Sequence, residues 1–179
     1  MNAKLARSII TFPDDTIHNI RDFGAVADGK TINTAALQSA IDTCHDNEGG
    51  IVLVPAGSYL IGTIFLKSNV ELHLTPTSVL LGSTNLADYA EGVQGCGFVN
   101  EKSIDKCLIY AENADNIAIT GRGTIDGQGA SFVRIKEDGS MGSRPMLTRF
   151  FRCSRVIFDG VNLKNAGAWC SHFRECHDI

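Results

Sequence analysis

The 179-residue sequence contains no long hydrophobic run and no basic run, and these two absences exclude several classes of protein. Its longest apolar stretches have the length of a β-strand, which is too short for a transmembrane helix. Residues 1–13 lack the continuous apolar segment of a signal peptide. The net charge of −4 at pH 7 disfavours binding to nucleic acid or to an anionic membrane. We therefore predict neither of these partners and favour a cytoplasmic location over a secreted one.

Patterns of metal and redox sites are also missing from the sequence. The six cysteines show no Cys-x-x-Cys spacing, as zinc sites and thioredoxin-like motifs would require. The acidic residues do not follow the spacing of an EF-hand loop, and no serine has the partners of a catalytic triad. We predict no metal and no cofactor, and we interpret the cysteines as buried thiols that pack as small hydrophobic side chains.

Only one segment, about residues 33–45, has the pattern of an amphipathic helix. Thr31 or Asn33 can cap this helix, because a side-chain oxygen accepts a hydrogen bond from a free N–H of the first turn. The glycines at positions 49 and 50 end it. The residues on its apolar face are Ala36, Leu37, Ala40, Ile41 and Cys44.

The remaining sequence indicates short β-strands separated by glycine, asparagine or proline corners. Residues 70–74 alternate between apolar and polar side chains, which places His73 on the outer face of a strand. Residues 20–26 also have the composition of a short strand, and the Asp-Gly pair at 28–29 predicts a turn after it. Residues 83–106 interrupt the strands as a long loop, which is a candidate wall of a groove. Residues 137–145 form a second irregular stretch.

A repeat organises these strands. Residues 153–156 resemble residues 176–179 at an offset of 23 positions, and residues 114–117 are a looser third copy. Repeats of this length built from short strands predict a β-solenoid, in which stacked coils share one apolar interior. We expect an N-terminal arm at 1–19 and an all-β parallel β-helix domain at 20–179, with the single helix covering one end. Because residue 179 falls inside a new repeat, we expect the sequence to be truncated there.

Three blocks near the start resemble a known superfamily. They are Phe-Gly-Ala-Val-Ala-Asp-Gly at residues 23–29, Thr-Ala-Ala-Leu-Gln-Ser-Ala-Ile at 34–41, and the segment 49–59 from Gly-Gly-Ile-Val to Gly-Ser-Tyr. In this order they resemble the opening of the pectate-lyase-like right-handed β-helix superfamily. The resemblance implies a right-handed parallel β-helix with an N-terminal capping helix.

Later blocks narrow the resemblance. Residues 116–129, Asn-Ile-Ala-Ile-Thr-Gly-Arg-Gly-Thr-Ile-Asp-Gly-Gln-Gly, resemble the glycine-rich signature of glycoside hydrolase family 28, the polygalacturonases. The segments 144–147, 153–160 and 163–172 continue this likeness in the same order. The resemblance implies inverting hydrolysis of α-1,4-galacturonosidic bonds in pectin, and hence a pectic oligo- or polysaccharide as the partner.

The resemblance also implies where the catalytic residues belong. In the family, the aspartates of an Asn-Thr-Asp block and an Asp-Asp pair follow the segment that here runs from Trp169 to His172. These blocks are expected beyond Ile179, so we assign no catalytic residue to this chain. Residues 134–136, Arg-Ile-Lys, match a later block of the family in letters only, because they come too early in the sequence.

The glycine-rich stretch supplies the structural signature of the chain. We assign this role to Gly121, Gly123, Asp126, Gly127 and Gly129, since glycines permit tight corners and close backbone contacts. Asp126 is either a carboxylate in a groove or a side chain that bonds the backbone of its own turn, as aspartate commonly does. The same two interpretations apply to Asp159, which precedes Gly160.

Three residues are candidates for substrate binding. Trp169 can stack on a sugar ring and His172 can bond a hydroxyl, although on one strand they share a surface only if the chain bends between them. Arg144 can pair with a galacturonate carboxylate. Arg149, Arg152 and Arg155 could do the same, or could be ordinary solvated arginines.

Two other functions remain open at this point. The chain could be a non-catalytic β-helix module that binds carbohydrate or serves as a scaffold, or an enzyme similar to a pectate lyase or epimerase on the same fold. We also expect the chain to self-associate, because a solenoid that ends inside a coil exposes a strand edge and part of its apolar interior.

Overall fold

The computed structural model describes residues 17–93 and 104–179 and shows a right-handed parallel β-helix. The strands, in chain order, are β1 (Ile17–Asn19), β2 (Asp28–Ile32), β3 (Gly50–Val54), β4 (Gly57–Ile61), β5 (Ile64–Phe65), β6 (Val70–Leu74), β7 (Ser78–Gly82), β8 (Cys107–Glu112), β9 (Asp115–Gly121), β10 (Thr124–Asp126), β11 (Met146–Phe151), β12 (Ser154–Asp159), β13 (Asn162–Lys164) and β14 (Ser171–Arg174). One α-helix, α1 (Thr34–Asp46), lies between β2 and β3. No helix in the described part of the chain is long and apolar enough to cross a membrane.

Three parallel sheets form the walls of the solenoid. The first sheet has the order β1-β3-β6-β9-β12, the second β13-β10-β7-β4-β2, and the third β14-β11-β8-β5. The chain visits the sheets in turn, so that β6, β7 and β8 make one coil and β9 starts the next. Each residue therefore stacks on its counterpart one coil away, about 4.8 Å along the axis.

The core consists of ladders of apolar side chains between the sheets. In the first sheet Val52, Leu72, Ile119 and Phe158 are in register on four successive strands. The first three are fully buried, and Phe158 packs partly buried against the same core. Burying each such side chain stabilises the fold by about 1.5–3 kcal/mol. The predicted solenoid, with one apolar interior shared by its coils, is confirmed.

The corner between the third and the first sheet explains the repeat. A residue in the left-handed conformation lies at each of these corners, at Asn113 (φ 51°), Arg152 (φ 52°) and Glu175 (φ 54°), and a second one follows three positions later. The Nε of Arg152 donates to Oε2 of Glu175 on the next coil at 2.8 Å. The cysteines that follow these last two corners are the ones that gave residues 153–156 and 176–179 their likeness.

Helix α1 covers one end of the core, as the amphipathic pattern predicts. Its residues Leu37, Ala40, Ile41 and Cys44 are fully buried. The predicted side-chain cap is wrong, however. Asn33 occupies the N-cap position, but its side chain accepts from the Val26 N–H at 2.7 Å and makes no bond to the helix. The turn before the helix brings this backbone donor closer to the amide than the first helical N–H groups.

The predicted strand at residues 20–26 is also wrong. The segment Ile20–Phe23 is a 3₁₀-helix, because the Asn19 side chain accepts from the Arg21 N–H and Gly24 ends the turn at φ 92°. Asp28 and the residue after it begin β2, although Asp28 still accepts from the N–H groups of Lys30 and Thr31, as in a turn. Local hydrogen bonds therefore override the apolar pattern at residues 20–23, whereas at Asp28 they keep the character of the predicted turn within an irregularly paired β2.

The described part of the predicted N-terminal arm, Ile17–Asn19, is the edge strand β1 and pairs with β3. Residues 1–16 lie outside the described residues, so the boundary at residue 19 stays a prediction. His73 is partly exposed on the outer face of β6, where its Nδ1 lies 2.7 Å from Oγ1 of Thr120.

Both irregular stretches project from the β-helix at the connection between the second and the third sheet. The first contains one 3₁₀ turn, Leu86–Asp88, and residues 94–103, including Cys96, lie outside the described residues. The second forms a small hairpin through the bridge between Ile135 and Met141.

The cysteines in the described ranges form no disulfide. Cys44, Cys107 and Cys153 are buried, as predicted, whereas Cys170 is exposed and Cys176 is partly buried. Burial raises the pKa of the Cys44 thiol to about 11 and that of Cys107 to about 12, so both thiols stay protonated at neutral pH.

Candidate functional site

The glycine-rich signature packs the middle coil against both of its neighbours. A Cβ at Gly121 would clash with the Leu74 carbonyl on the preceding coil, and one at Gly123 would clash with Ser78. Gly127 and Gly129 approach the following coil in the same way, at the carbonyl groups of residues 165–166. These glycines therefore permit close contact between backbones, which is a structural role.

Asp126 belongs to the same corner. Its Oδ1 accepts from the Gln128 N–H and from the Asn165 amide, both at 3.0 Å, and Lys164 Nζ lies 3.4 Å from Oδ2. Partial burial alone would raise the pKa of Asp126, but these donors outweigh it and lower the pKa. The carboxylate is therefore ionised at neutral pH and supports the turn, which makes it unsuited to act as a general acid. Asp159 ends β12 of the first sheet and is exposed.

Trp169 and His172 share a surface because the chain bends just before β14. Their ring centroids are 5.0 Å apart with an interplanar angle of 45°. His172 lies within β14, whereas Trp169 precedes this strand and is 37% exposed. From the sequence, these two residues could share a surface only if the chain bends between them. This bend is present, and it places an exposed aromatic ring beside an imidazole.

Arg144 lies one coil earlier and holds the segment that leads to Trp169. Its Nη1 donates to the Gly167 carbonyl at 2.9 Å. Backbone bonds from Ala168 N to the Pro145 carbonyl and from Leu147 N to the Trp169 carbonyl, both 3.0 Å, fix the same segment. The structure thus brings Arg144 to the approach of the Trp169–His172 pair, where it orients the backbone.

Sequence reasoning missed the position of Arg149. It is in register with Tyr110 of β8 and His172 of β14 in the third sheet, and it is fully buried. The interpretation of these arginines as solvated is therefore wrong for Arg149. It holds for Arg152 and Arg155, which are exposed and pair with Glu175 and Asp115. The apolar neighbours of Arg149 in strand 146–151 were the available signal for its burial.

The loop after β7 covers part of the outer face of the third sheet. Val93 and Ile104 of this loop pack on a small apolar cluster that includes Cys107, Tyr110 and Met146. Lys106 is buried beside it, with its Nζ 2.7 Å from Oε1 of Glu91. The outer face of the third sheet thus combines a covered apolar part with buried cations and, at β14, the open Trp169–His172 pair.

Among the described residues, no group of three or more histidine, cysteine, aspartate or glutamate side chains could hold a metal ion. The candidate surface is built from aromatic rings, an imidazole and guanidinium groups. This arrangement suits binding: the exposed Trp169 ring can stack on the apolar face of a sugar, and the His172 imidazole can bond a hydroxyl.

Comparison with known proteins gives consistent relatives. Residues 17–85 match the family described as rhamnogalacturonase A/epimerase, pectate lyase-like. The exo-poly-α-D-galacturonosidase of Dickeya chrysanthemi is 36% identical over 154 residues, which cover 82% of this chain and 25% of that protein. A polygalacturonase of Ralstonia solanacearum is also 36% identical, over 164 residues that cover 78% of this chain and 31% of that protein.

A solved structure agrees with these sequences. The family 28 exopolygalacturonase of Yersinia enterocolitica superposes with a TM-score of 0.74 at 30% identity, over 91% of this chain and 37% of that chain. The chain thus spans between a quarter and a third of the length of the two curated relatives described above.

Proposed function

Since the chain belongs to the polygalacturonase family of right-handed parallel β-helices, we propose that its coils bind a galacturonate-containing polysaccharide as part of a pectin-degrading glycoside hydrolase. The observation that carries this proposal is the exposed Trp169 ring beside His172, at the edge of the third sheet. In this proposal Trp169 stacks on a pyranose ring and His172 bonds a hydroxyl. Arg144 is a positioning residue that holds the backbone before Trp169.

Trp169, His172 and Arg144 do not supply the groups that hydrolysis of a glycosidic bond requires. Inverting hydrolysis needs a carboxylic acid for the leaving oxygen and a carboxylate for the attacking water, about 6.5–9.5 Å apart. Asp126 is ionised and engaged in its own corner, so it does not fit the role of the acid. We therefore assign the chain to substrate binding and place the pair of catalytic carboxylates outside it.

The first test is the affinity of the 179-residue chain for oligogalacturonate, measured by calorimetry. We expect Trp169→Ala to weaken binding about tenfold, which corresponds to about 1.4 kcal/mol, while Trp169→Phe retains most of it. Ile32→Ala, which removes an exposed apolar side chain from the second sheet, is the matched control. No binding of oligogalacturonate by the unmodified chain would contradict the proposal, as would an unchanged affinity in Trp169→Ala.

A non-catalytic binding module is the second candidate, and the engagement of Asp126 in its turn favours it. Product analysis on polygalacturonate, with the longest product that the gene encodes, separates the candidates. Release of saturated reducing ends identifies a hydrolase, and an unsaturated product that absorbs in the ultraviolet identifies a lyase. Binding without any product identifies a module. Cleavage by the 179-residue chain itself would contradict our placement of the catalytic pair.

A further inference from the structure

The loops after β7 and β10 line an open cavity that the proposed Trp169–His172 site does not use. One wall is formed by residues 84–86 after β7 and the other by residues 131–143 after β10. Both walls stand at the same corner, because each connects the second sheet to the third. The cavity has a volume of about 570 Å³, which lies within the roughly 300–1,000 Å³ of small-molecule sites.

Apolar side chains form part of the lining of this cavity. Leu86, Phe132 and Val133 line it, and Val133 is 61% exposed. Phe132 is held in place by an edge-on contact with the buried Tyr89, with ring centroids 6.2 Å apart. A platform of one aromatic and two aliphatic side chains, fixed from behind, suits the apolar face of a pyranose ring.

The lining of the cavity also carries two opposite charges. Lys136 and Glu137 line the cavity together with the side chains of Ser131 and Ser143. The Ser143 hydroxyl also donates to Asp105 at 3.1 Å. Neither Lys136 nor Glu137 has an ion-pair partner within 4 Å in the part of the chain that the structure describes. The ammonium is therefore available to a ligand carboxylate, and Glu137 can accept from ligand hydroxyls.

The hairpin fixes the backbone that bears these two charges. Lys136 N donates to the Ser140 carbonyl at 2.8 Å, and Gly142 N donates to the Arg134 carbonyl at 3.0 Å. Asp138 closes the turn by accepting from the Ser140 N–H at 2.9 Å. Hydrogen bonds from Ser140 lower the pKa of Asp138, and the Lys136 ammonium lowers it further.

The cavity adjoins the Trp169–His172 pair. The Phe132 ring would lie 3.3 Å from a Cβ at Gly167, and the Gly167 carbonyl is the acceptor of Arg144. Gly167 is two residues before Trp169. A saccharide that stacks on Trp169 can therefore extend along this coil towards Phe132.

We propose that this cavity is a second subsite, which binds one uronate residue with its ring on Phe132 and Val133 and its carboxylate on Lys136. The inference rests on the proposed function, since it names a further unit of the same galacturonate chain. Glu137 lines the same cavity and can accept from hydroxyl groups of the bound uronate, which would fix the orientation of its ring.

The test is calorimetric titration of the 179-residue chain with trigalacturonate and with a neutral trisaccharide of galactose. Lys136→Met keeps the alkyl stem and removes the charge, and we expect it to weaken trigalacturonate binding about fivefold. Lys136→Arg should retain affinity. Lys67→Met is the control, because Lys67 pairs with Asp42 of α1 at the other end of the molecule. Far-UV circular dichroism should be identical in all variants, since hairpin residue 136 is exposed.

The outcomes separate the two proposals. If Trp169→Ala weakens binding and Lys136→Met does not, the second subsite is wrong and the proposed function stands. If neither substitution matters, or if trigalacturonate does not bind, both are wrong. Equal affinity for the neutral trisaccharide and trigalacturonate would overturn the assignment of a uronate to the cavity. Weaker binding in Lys136→Met together with retained binding in Lys136→Arg supports it.

Discussion

The two ends of the solenoid bury the same kinds of residue to different extents. At the end covered by α1, the ladder residues Val52 and Leu72 are fully buried beneath Leu37 and Ile41. At the other end, Phe158 and the neighbouring residues on β13 and β14 are only partly buried. The ladders are continuous, so the difference lies in what covers them. Burial in this fold depends on the neighbouring coil or helix as much as on the residue itself.

The same contrast separates stability from binding. The covered end has a helix and a short edge strand over the core. The other end, which we call the open end of the described residues, carries His172 on β14 of the third sheet and Trp169 just before this strand. We expect substitutions at the covered end to affect the free energy of unfolding most, and those at the open end to affect binding most.

The largest effect should come from removing a side chain under the helix. Leu37→Ala deletes a fully buried leucine of α1 and should lower the free energy of unfolding by about 3–4 kcal/mol, in the range of buried Leu→Ala substitutions. Leu163→Ala on β13 is the matched change at the open end, where the leucine is partly buried, and should cost about 1–2 kcal/mol. Urea denaturation followed by circular dichroism measures both. Equal losses would show that the two ends are equally packed and would break the comparison.

A second prediction contrasts a glycine between coils with one on the hairpin. Gly121→Ala places a Cβ against the Leu74 carbonyl at a position with φ 105°, and should cost about 2–4 kcal/mol. Gly139→Ala also requires a positive φ, of 78°, but meets no atom within 4 Å. Its cost should be the backbone strain alone, about 1 kcal/mol. Thermal unfolding of the two variants checks the difference, and a larger loss for Gly139→Ala would contradict it.

Much of the fold could be predicted because similar sequence patterns recur from coil to coil of the β-helix. Alternation along residues 70–74 identified the inner and outer faces, and the offset of 23 residues identified equivalent corners such as Arg152 and Glu175. The glycine-rich signature pointed to close backbone contacts, which the structure places on both sides of the middle coil. Each of these signals is local in sequence and repeated in space.

The errors arose where a contact distant in sequence or a single hydrogen bond decides the structure. The Asn33 side chain accepts a hydrogen bond from the Val26 N–H and does not cap the helix. Ile20 starts a 3₁₀-helix because Asn19 and Gly24 stop the strand. Arg149 is buried because β8 and β14 lie on either side of it, and these pairings are separated by many residues. The cavity beside Lys136 likewise depends on two loops that the sequence keeps about 50 residues apart.

The smallest predicted effect is on the stability of the fold at acid pH. It concerns two hydrogen-bonded carboxylates, Asp28 near the covered end and Asp126 in the glycine-rich signature. The N–H groups of Thr31 and Lys30 and the Thr31 hydroxyl lower the pKa of Asp28 from 3.8 to about 2. A carboxyl whose pKa is lower in the folded than in the unfolded state stabilises the fold above the unfolded pKa. Its contribution is lost as the pH falls from about 3.8 to about 2. Asp126 acts in the same direction, since its pKa is also lowered.

We therefore expect Asp28→Asn and Asp126→Asn each to flatten the fall in stability between pH 5 and pH 2, while retaining an oxygen that can accept the same N–H bonds. The measurement is the urea midpoint of each variant at pH 5 and at pH 2.5, compared as a double difference with the unmodified chain. Asp22→Asn, in the neighbouring 3₁₀-helix, controls for the loss of one negative charge. If Asp28→Asn follows the same pH dependence as the unmodified chain, the hydrogen bonds at this turn form equally in the unfolded state. In that case the covered end draws its stability from the apolar contacts of α1 alone.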